Sequence, residues 1–141
     1  MLVDSHCHLD YAAAAERGEI LARARRAGVQ TLLTISTKLS EFAGVRAIVD
    51  SHSDVWCSVG IHPHEAAAEA DPGIAGLVSL SQHPKVVGIG ETGLDFYYEH
   101  SPRAEQEASF RAHIAAANEA GVPIIVHTRD ADAETAHILE D

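Results

Sequence analysis

Residues 2–10 read Leu-Val-Asp-Ser-His-Cys-His-Leu-Asp, an apolar start followed by two histidines spaced i, i+2. In a β-strand, side chains two residues apart lie on the same face, so we expect Asp4, His6 and His8 to point together. Two imidazoles that converge at the end of a strand form half of a divalent metal site, and Asp4 could orient one ring by accepting its second N–H. The alternative is a strand that happens to carry two histidines, but each buried polar group without a partner would cost roughly 1–3 kcal/mol. The stretch therefore predicts a first strand that ends in a metal site.

Short apolar runs alternate with longer amphipathic ones along the chain, which is typical of βα units in a parallel sheet. Five strands are predicted, each expected to be buried on both faces. They span Leu2–His8, Val29–Ser36, Asp54–His62, Lys85–Glu91 and Val122–His127. Helices are predicted between them at Glu16–Ala27, Ser40–Val49, Gly73–Gln82 and Ser101–Ala120, with a fifth beginning at Ala133.

Polar residues suited to chemistry fall at the ends of these strands, namely His8, Ser36, His62, Glu91 and His127, at separations of 28, 26, 29 and 36 residues. Convergent polar groups at the carboxyl ends of successive parallel strands build the active site of a (β/α)8 TIM-type barrel. An open doubly wound sheet is the alternative, but its first strand usually leads into a Gly-rich phosphate loop, where this chain has His-Leu-Asp-Tyr-Ala. We therefore predict an α/β fold of the barrel kind.

The length of the chain corresponds to part of such a barrel. A complete (β/α)8 barrel takes ~250 residues, and residues 1–141 account for about the first five βα units. We expect residues 1–141 to be the N-terminal portion of a single barrel domain in a truncated chain. The other arrangement that we consider is self-association, in which the open edges of the sheet pair with a second copy.

Two further motifs follow the third and fourth strands. Gly60-Ile61-His62-Pro63-His64 places two histidines just past a strand, where either could touch a substrate; as an isolated pair they would be surface residues. Glu91 ends a strand of small residues and is the natural bridge between two cations, with a solvated loop glutamate as the alternative. We expect the glycines around Glu91 to let backbone approach a ligand closely.

The fifth strand repeats the arrangement with His127, and Arg129 follows on the same face. Arg129 is suited to a bidentate grip on a phosphate or carboxylate, although an ion pair with Asp130 or Glu91 would be a structural alternative. The remaining histidines away from strand ends are interpreted as surface residues: His52, His83, His100, His113 and His137. The tyrosines and Trp56 are too scattered to predict a base-stacking platform, although Tyr97 and Tyr98 could line a substrate loop.

Composition limits the partners that the surface can bind. Acidic residues outnumber basic ones 21 to 10, and the net charge of −11 disfavours a broad basic surface for duplex DNA, so an anionic substrate must be held locally. Cys7 and Cys57 lie in apolar runs and are expected to be buried free thiols of an intracellular protein. No stretch approaches ~18 uninterrupted apolar residues, so we expect no membrane partner and a cytoplasmic location.

Five motifs in the same order resemble one known family. They are Leu-Val-Asp-Ser-His-Cys-His-Leu-Asp at 2–10, Gly-Ile-His-Pro-His at 60–64, Gly-Glu-Thr-Gly-Leu-Asp-Phe at 90–96, the helix with Gln106 and Phe110, and Pro-Ile-Ile-Val-His-Thr-Arg-Asp-Ala at 123–131. Together they resemble the TatD-type metal-dependent deoxyribonucleases, which are barrels of the amidohydrolase-like kind, and the resemblance covers the whole chain.

The resemblance implies a site with two divalent metal ions. His6 and His8 would hold the first ion, Glu91 would bridge and act as the catalytic carboxylate, and His127 would hold the second. Histidine-rich ligation suits Zn²⁺ or Mn²⁺, whereas the family is generally described as Mg²⁺-dependent. Two more ligands implied by the resemblance, a histidine and an aspartate on later strands, have no counterpart in these residues, so we expect the 141-residue chain to be nearly inert.

The implied activity is hydrolysis of phosphodiester bonds in DNA, in the manner of a 3'-5' exonuclease, by a metal-activated hydroxide. The substrate would be single-stranded DNA or a 3' end, and His62, His64 and Arg129 could fix its phosphate. Two other classes remain open: a binuclear amidase or esterase on a related barrel, and an inactive metal-binding fragment. A cleaved product that carries a phosphate group would distinguish a nuclease from an amidase or esterase.

Overall fold

The computed structural model describes residues 2–141, which form one parallel sheet with helices between its strands. The strands are β1 (Leu2–Cys7), β2 (Val29–Thr34), β3 (Val55–Val59), β4 (Val86–Asp95) and β5 (Ile124–Arg129). The helices are α1 (Ala14–Arg26), α2 (Phe42–Asp50), α3 (Gly73–Ser81), α4 (Arg103–Ala120) and α5 (Asp132–Glu140). Short 3-10 helices at Leu9–Tyr11 and Pro63–Glu65 follow β1 and β3. The sheet order is β1-β2-β3-β4-β5, so each strand lies beside its sequence neighbours, as in the first part of a barrel.

The five predicted strands and five predicted helices are all present, and the largest difference in length is in β4. This strand continues to Asp95, four residues beyond its predicted end at Glu91. Pairing with β5 extends it, because Gly93 lies opposite His127 and Asp95 lies opposite Arg129. β3 ends earlier than predicted, at Val59, so His62 lies in the connection to the 3-10 helix rather than on the strand.

The predicted burial of every strand on both faces is wrong for the two edge strands. In β1, Leu2 is 58% exposed and Val3 is 57% exposed, and no residue of β5 is buried. One sheet face packs against the helices, and its core includes Leu32, Val55 and Val86. The next residue along each strand points to the opposite face, because strand side chains alternate. That face carries a shallow apolar hollow of about 310 Å³, lined by Val3, Ser5, Thr31, Leu33, Trp56 and Val87.

The glycines that flank Glu91 have a packing role, which corrects the expectation that they admit a ligand. Gly90 and Gly93 have φ values of 135° and 138°, a region that side chains rarely adopt. A Cβ atom at Gly90 would overlap the backbone of Ile125, and one at Gly93 would overlap the carbonyl of His127. The glycines therefore allow the β5 backbone to approach β4 on either side of Glu91.

Both cysteines are free thiols, as expected. Cys57 is buried and Cys7 is half-buried. Burial raises the pKa of each thiol to about 12, and nearby carboxylates such as Asp4 and Asp50 add to the effect. Neither cysteine is therefore a reactive thiolate at neutral pH. Within residues 2–141, no helix combines the length and the apolar character that crossing a membrane requires.

Candidate metal centre

A cavity of about 330 Å³ opens at the carboxyl ends of the strands, and all seven residues predicted for the site line it. The predicted residues are His6, His8, His62, His64, Glu91, His127 and Arg129. The complete lining adds Tyr11, Thr37 and Glu65, which the sequence did not indicate. The cavity is therefore built from the ends of β1, β4 and β5 and from the connections that follow β1, β2 and β3.

Two sets of potential metal ligands share Glu91. One set is His6, His8 and Glu91, and the other is His62, Glu91 and His127; within each set the donor atoms lie within 4.8 Å of one another. The two carboxylate oxygens face different sets, since Oε2 lies 3.4 Å from Nε2 of His6 and Oε1 lies 3.2 Å from Nδ1 of His127. Two nitrogens and one oxygen per set are a donor chemistry that fits a first-row divalent ion.

The second set differs from the prediction because it includes His62, which the sequence interpretation had assigned to the substrate. His62 lies with its Nε2 3.2 Å from Nδ1 of His127. Its Nδ1 accepts the backbone N–H of His64 at 3.1 Å, which fixes the ring at the start of the 3-10 helix. Burial lowers the pKa of His62 to about 4, and the neighbouring His127 adds to the effect. The ring is therefore neutral at pH 7, as metal ligation requires.

The orientation of His8 has a different source from the one predicted. Its Nδ1 lies 3.2 Å from the carbonyl oxygen of Ile35, which can only accept, so Nδ1 carries the proton and Nε2 is free to ligate. Asp4 instead accepts the backbone N–H of His6 at 3.2 Å. β1 has a register irregularity between Asp4 and Cys7, which face Leu32 and Thr34, two residues apart, on β2. This bulge breaks the strict alternation that placed Asp4 with the two histidines.

Glu91 is buried and ionised. Burial acts to raise the pKa of its carboxyl group, but the hydrogen bond from His127 and the nearby imidazoles of His62 and His6 outweigh burial and hold the pKa below its usual value. The hydrogen bond to Glu91 raises the pKa of His127 above its usual value, against the opposing effect of burial. The centre therefore keeps its central carboxylate charged, the form that binds a cation.

Asp95 is the residue that the sequence interpretation missed. It is fully buried, and its Oδ2 accepts from Nε2 of His64 at 2.8 Å and from Nε2 of His127 at 3.0 Å. Burial acts to raise its pKa, but the backbone N–H of Tyr98 and the two imidazoles lower it to about 2. Asp95 therefore fixes the rings of two cavity residues from behind, as outer carboxylates do for ligating histidines. Asp95 lies on β4 four residues after Glu91, but the sequence after Glu91 indicates a loop, so strand alternation was not an available signal.

Arg129 lies free of both predicted ion-pair partners. Among the residues described, no carboxylate lies within salt-bridge distance of its guanidinium group, so the pair with Asp130 or Glu91 is not formed. The guanidinium carbon lies 5.1 Å from the ring centre of Tyr98. Arg129 can therefore present its hydrogen-bond donors to an anion in the cavity.

The surface assignment is wrong for His113, which is 1% exposed on α4. Its Nε2 accepts the backbone N–H of Ile61 at 3.0 Å, and its Nδ1 donates to the carbonyl of Ser109 at 2.7 Å. His113 therefore anchors the segment that carries His62. His52 and His83 are only partly exposed, whereas His100 and His137 are exposed as predicted.

The tyrosines are also less scattered than the sequence indicated. Tyr97 and Tyr98 contact each other, with ring centres 4.7 Å apart, and Tyr98 lies beside His64 and Arg129. On the β1 side of the cavity, Tyr11 stacks on His8 with ring centres 4.7 Å apart and planes 10° from parallel.

Comparisons with known proteins agree on one family. Residues 3–141 match the family described as TatD related DNase. The 3'-5' ssDNA/RNA exonuclease TatD of Cronobacter turicensis is 38% identical over 125 residues, covering 89% of this chain and 48% of the relative. The uncharacterized metal-dependent hydrolase YcfH of Escherichia coli is 38% identical over 144 residues, covering 99% of this chain and 54% of the relative. The chain thus spans about half the length of the curated relatives that it matches.

The solved structures support the fold prediction. The crystal structure of YjjV, a TatD homologue from Escherichia coli, matches with a TM-score of 0.89 at 27% identity, covering 99% of this chain and 55% of that one. A TatD family hydrolase from Entamoeba histolytica matches with a TM-score of 0.83 at 21% identity, which supports the fold alone. The predicted architecture, a partial TIM-type barrel of about five βα units, is confirmed.

Proposed function

Because the chain belongs to the TatD related DNase family, we propose that it contributes the metal centre of a nuclease that hydrolyses phosphodiester bonds in DNA. The observation that carries the proposal is the position of Glu91 between two sets of histidine ligands. Residues 1–141 would be the N-terminal portion of one hydrolase barrel domain, consistent with their coverage of about half of each relative.

The metal roles that we propose follow the two ligand sets. His6 and His8 would hold one divalent ion, His127 with His62 would hold the other, and Glu91 would be a ligand common to both sets. When bound, such a pair of cations activates a water nucleophile and neutralises charge on the phosphate oxygens. The nitrogen-rich sets favour Zn²⁺ or Mn²⁺ over Mg²⁺, which prefers oxygen ligands.

The other residues of the cavity would position the substrate. Arg129 lines the cavity, forms no ion pair with any carboxylate of residues 2–141, and would offer a bidentate grip on a phosphate. His64 is held by Asp95, so its ring is fixed in orientation at the edge of the cavity. Fixed donors of this kind lower the barrier because they need no reorganisation as charge develops on phosphate oxygens.

We propose more specifically that the substrate is single-stranded and is attacked from its 3' end. It is supported by the relatives named 3'-5' ssDNA/RNA exonuclease, together with a net charge of −11 that disfavours binding along a duplex. We also propose a cytoplasmic location, supported by the two free thiols, and self-association through the edges of β1 and β5.

The test is a nuclease assay with end-labelled single-stranded DNA, with metal content measured alongside. For a form extended to the length of the relatives, we expect chelator-sensitive removal of nucleotides from the 3' end. The rate should be lower by roughly three orders of magnitude in Glu91→Ala, because metal electrostatics are worth several kcal/mol. Glu119→Ala, at an exposed glutamate of α4, is the matched control.

The same assay compares residues 1–141 with a longer form of the protein. We expect residues 1–141 to be nearly inert, and we expect turnover by a form extended to the length of the relatives, which would carry the further ligands implied by the resemblance. An extended form that leaves DNA intact but opens amide or ester substrates would refute the nuclease proposal in favour of an amidase or esterase. Metal binding without hydrolysis of any of these substrates would indicate a metal-binding protein.

A further inference from the structure

Two tyrosines on the turn after β4 expose large aromatic surfaces next to the cavity. Tyr97 is 63% exposed and Tyr98 is 50% exposed. Their ring planes are nearly perpendicular, at 88°, so the two rings present stacking surfaces in different directions. Exposed aromatic rings in contact with one another, at the edge of a polar cavity, are typical of a binding surface rather than of a solvated turn.

This tyrosine turn, Tyr97 and Tyr98, is held in place by the same carboxylate that orients the cavity histidines. Oδ1 of Asp95 accepts the backbone N–H of Tyr97 at 3.2 Å and that of Tyr98 at 2.9 Å. Oδ2 of Asp95 binds His64 and His127. The backbone that carries the two rings is therefore fixed relative to the candidate metal centre before a ligand arrives, which lowers the entropic cost of binding to this turn.

The side chains of the turn are packed on one side and open on the other. Tyr98 lies parallel to His100 with ring centres 5.5 Å apart, and its ring meets that of His64 edge to face at 5.7 Å. Tyr97 contacts Tyr98 but is otherwise mostly exposed, so it offers the more open ring face.

Arg129 connects the tyrosine turn with the cavity. Its guanidinium carbon lies 5.1 Å from the ring centre of Tyr98 and 6.0 Å from that of Tyr97, and the same side chain lines the cavity. In a chain of net charge −11, an arginine that pairs with no carboxylate in the described part of the chain is a local site for an anion. A phosphate held by Arg129 would therefore lie next to the tyrosine turn.

We infer that Tyr97, Tyr98 and Arg129 form a nucleobase-stacking subsite for a single-stranded nucleic acid whose phosphate is bound in the cavity. The inference deepens the proposed function and rests on it. Stacking on tyrosine accepts every base, because each has a π face, and it requires an unpaired base, because a base inside a duplex is already stacked. The subsite thus selects single strands without selecting sequence.

The experiment measures binding of a fluorescently labelled single-stranded oligonucleotide by anisotropy, together with a set of oligonucleotides in which one nucleotide at a time is abasic. We expect Tyr97→Ala to weaken binding roughly 5- to 100-fold, the range for loss of one stacked base, and Tyr97→Phe to bind within about twofold of the wild type. One abasic position should weaken binding to the wild type by a similar factor and leave binding to Tyr97→Ala unchanged.

Controls separate stacking from folding and from charge. Ile74→Ala removes another exposed apolar side chain, on α3, and should bind as the wild type does. Arg129→Lys keeps the charge but loses the planar group, and should weaken binding to every oligonucleotide, including the abasic ones. Circular dichroism of each variant checks that the fold is retained.

The outcomes also distinguish this inference from the proposed function. The subsite would be overturned if an abasic nucleotide weakened binding equally in the wild type, in Tyr97→Ala and in Tyr98→Ala. It would also be overturned if the wild type did not bind the oligonucleotide. If the protein hydrolyses DNA but the abasic position has the same effect with and without the tyrosine, the nuclease proposal stands and the subsite is refuted. If the effect of the abasic position depends on the tyrosine but no DNA is hydrolysed, the subsite is supported and the nuclease proposal is refuted.

Discussion

Replacement of His113 by alanine should destabilise the protein strongly, although this histidine lies outside the cavity. The side chain is 1% exposed and joins α4 to the segment before His62. Truncation leaves the N–H of Ile61 buried without a partner, which costs about 1–3 kcal/mol. It also leaves a cavity where the ring was, for which the 3–5 kcal/mol of a Phe→Ala change is roughly an upper limit. The two contributions sum to at most about 8 kcal/mol, and a loss of even 3 kcal/mol corresponds to a fall in melting temperature of roughly 10 °C.

The destabilisation should depend on pH. Burial lowers the pKa of His113 below its ordinary value of 6.5, although the hydrogen bond to the carbonyl of Ser109 and the charge of Asp71 act in the opposite direction. The unfolded chain therefore binds more protons than the folded one as the pH falls below 6.5. The contribution of neutral His113 to the free energy of unfolding is complete above pH 6.5. As the pH falls from 6.5 to the pKa of His113 in the folded state, this contribution decreases by up to about 1.4 kcal/mol per pH unit.

Urea unfolding followed by the fluorescence of Trp56, at pH 7.5 and pH 5.5, measures both effects. The difference between the wild type and His113→Ala should be smaller at the lower pH. His137→Ala is the matched control, because that side chain is 74% exposed on α5, and it should change the free energy of unfolding by less than about 0.5 kcal/mol. A loss below about 1 kcal/mol in His113→Ala, or a difference independent of pH, would refute the reasoning.

Three other expectations concern packing, a surface ion pair and association. Gly93→Ala should lower the free energy of unfolding by more than about 3 kcal/mol, because a Cβ atom there overlaps the carbonyl of His127. Gly18→Ala, in open space within α1, should instead raise it by about 0.5–1 kcal/mol. Equal effects of the two substitutions in chemical denaturation would contradict the packing argument. Arg25→Ala should cost less than about 1 kcal/mol despite the two 2.7 Å contacts to Asp54, because the pair is exposed. The hydrogen bond from Arg25 lowers the pKa of Asp54 in the folded state. The ion pair therefore contributes to stability above pH 3.8, and this contribution is lost as the pH falls through the folded pKa of Asp54. A larger effect of Arg25→Ala at acidic than at neutral pH would be inconsistent with this. Sedimentation should detect self-association of residues 1–141 through the open sheet edges, whereas a monomer that melts cooperatively in dilute solution would argue against it.

The strands and most of the candidate site could be predicted because buried parallel strands are read directly from apolar runs. His6, His8, Glu91 and His127 follow such runs at a regular spacing, and the structure brings them together. β4 could not be bounded in this way. Gly-Glu-Thr-Gly has low strand propensity, so the sequence indicates a loop, and only pairing with β5 carries the strand on to Asp95.

His113 and Asp4 were misjudged for different reasons. His113 continues a helical stripe with Gln106, Phe110 and Ala117, all buried on α4, and this periodicity was a stronger signal than the polarity of the side chain. Asp4 was placed by the alternation of an ideal strand. A bulge depends on the register with the neighbouring strand, which a single sequence does not encode locally.

The order of the strands in the sheet also bears on how the protein is made. Each strand pairs with the one synthesised immediately before it, and successive strands begin 26 to 38 residues apart. At about 5–20 residues per second, a ribosome delivers one such unit every few seconds, whereas a helix forms within about a microsecond. Every strand emerges after the edge that receives it, so the sheet can grow in the direction of translation without waiting for a distant part of the chain.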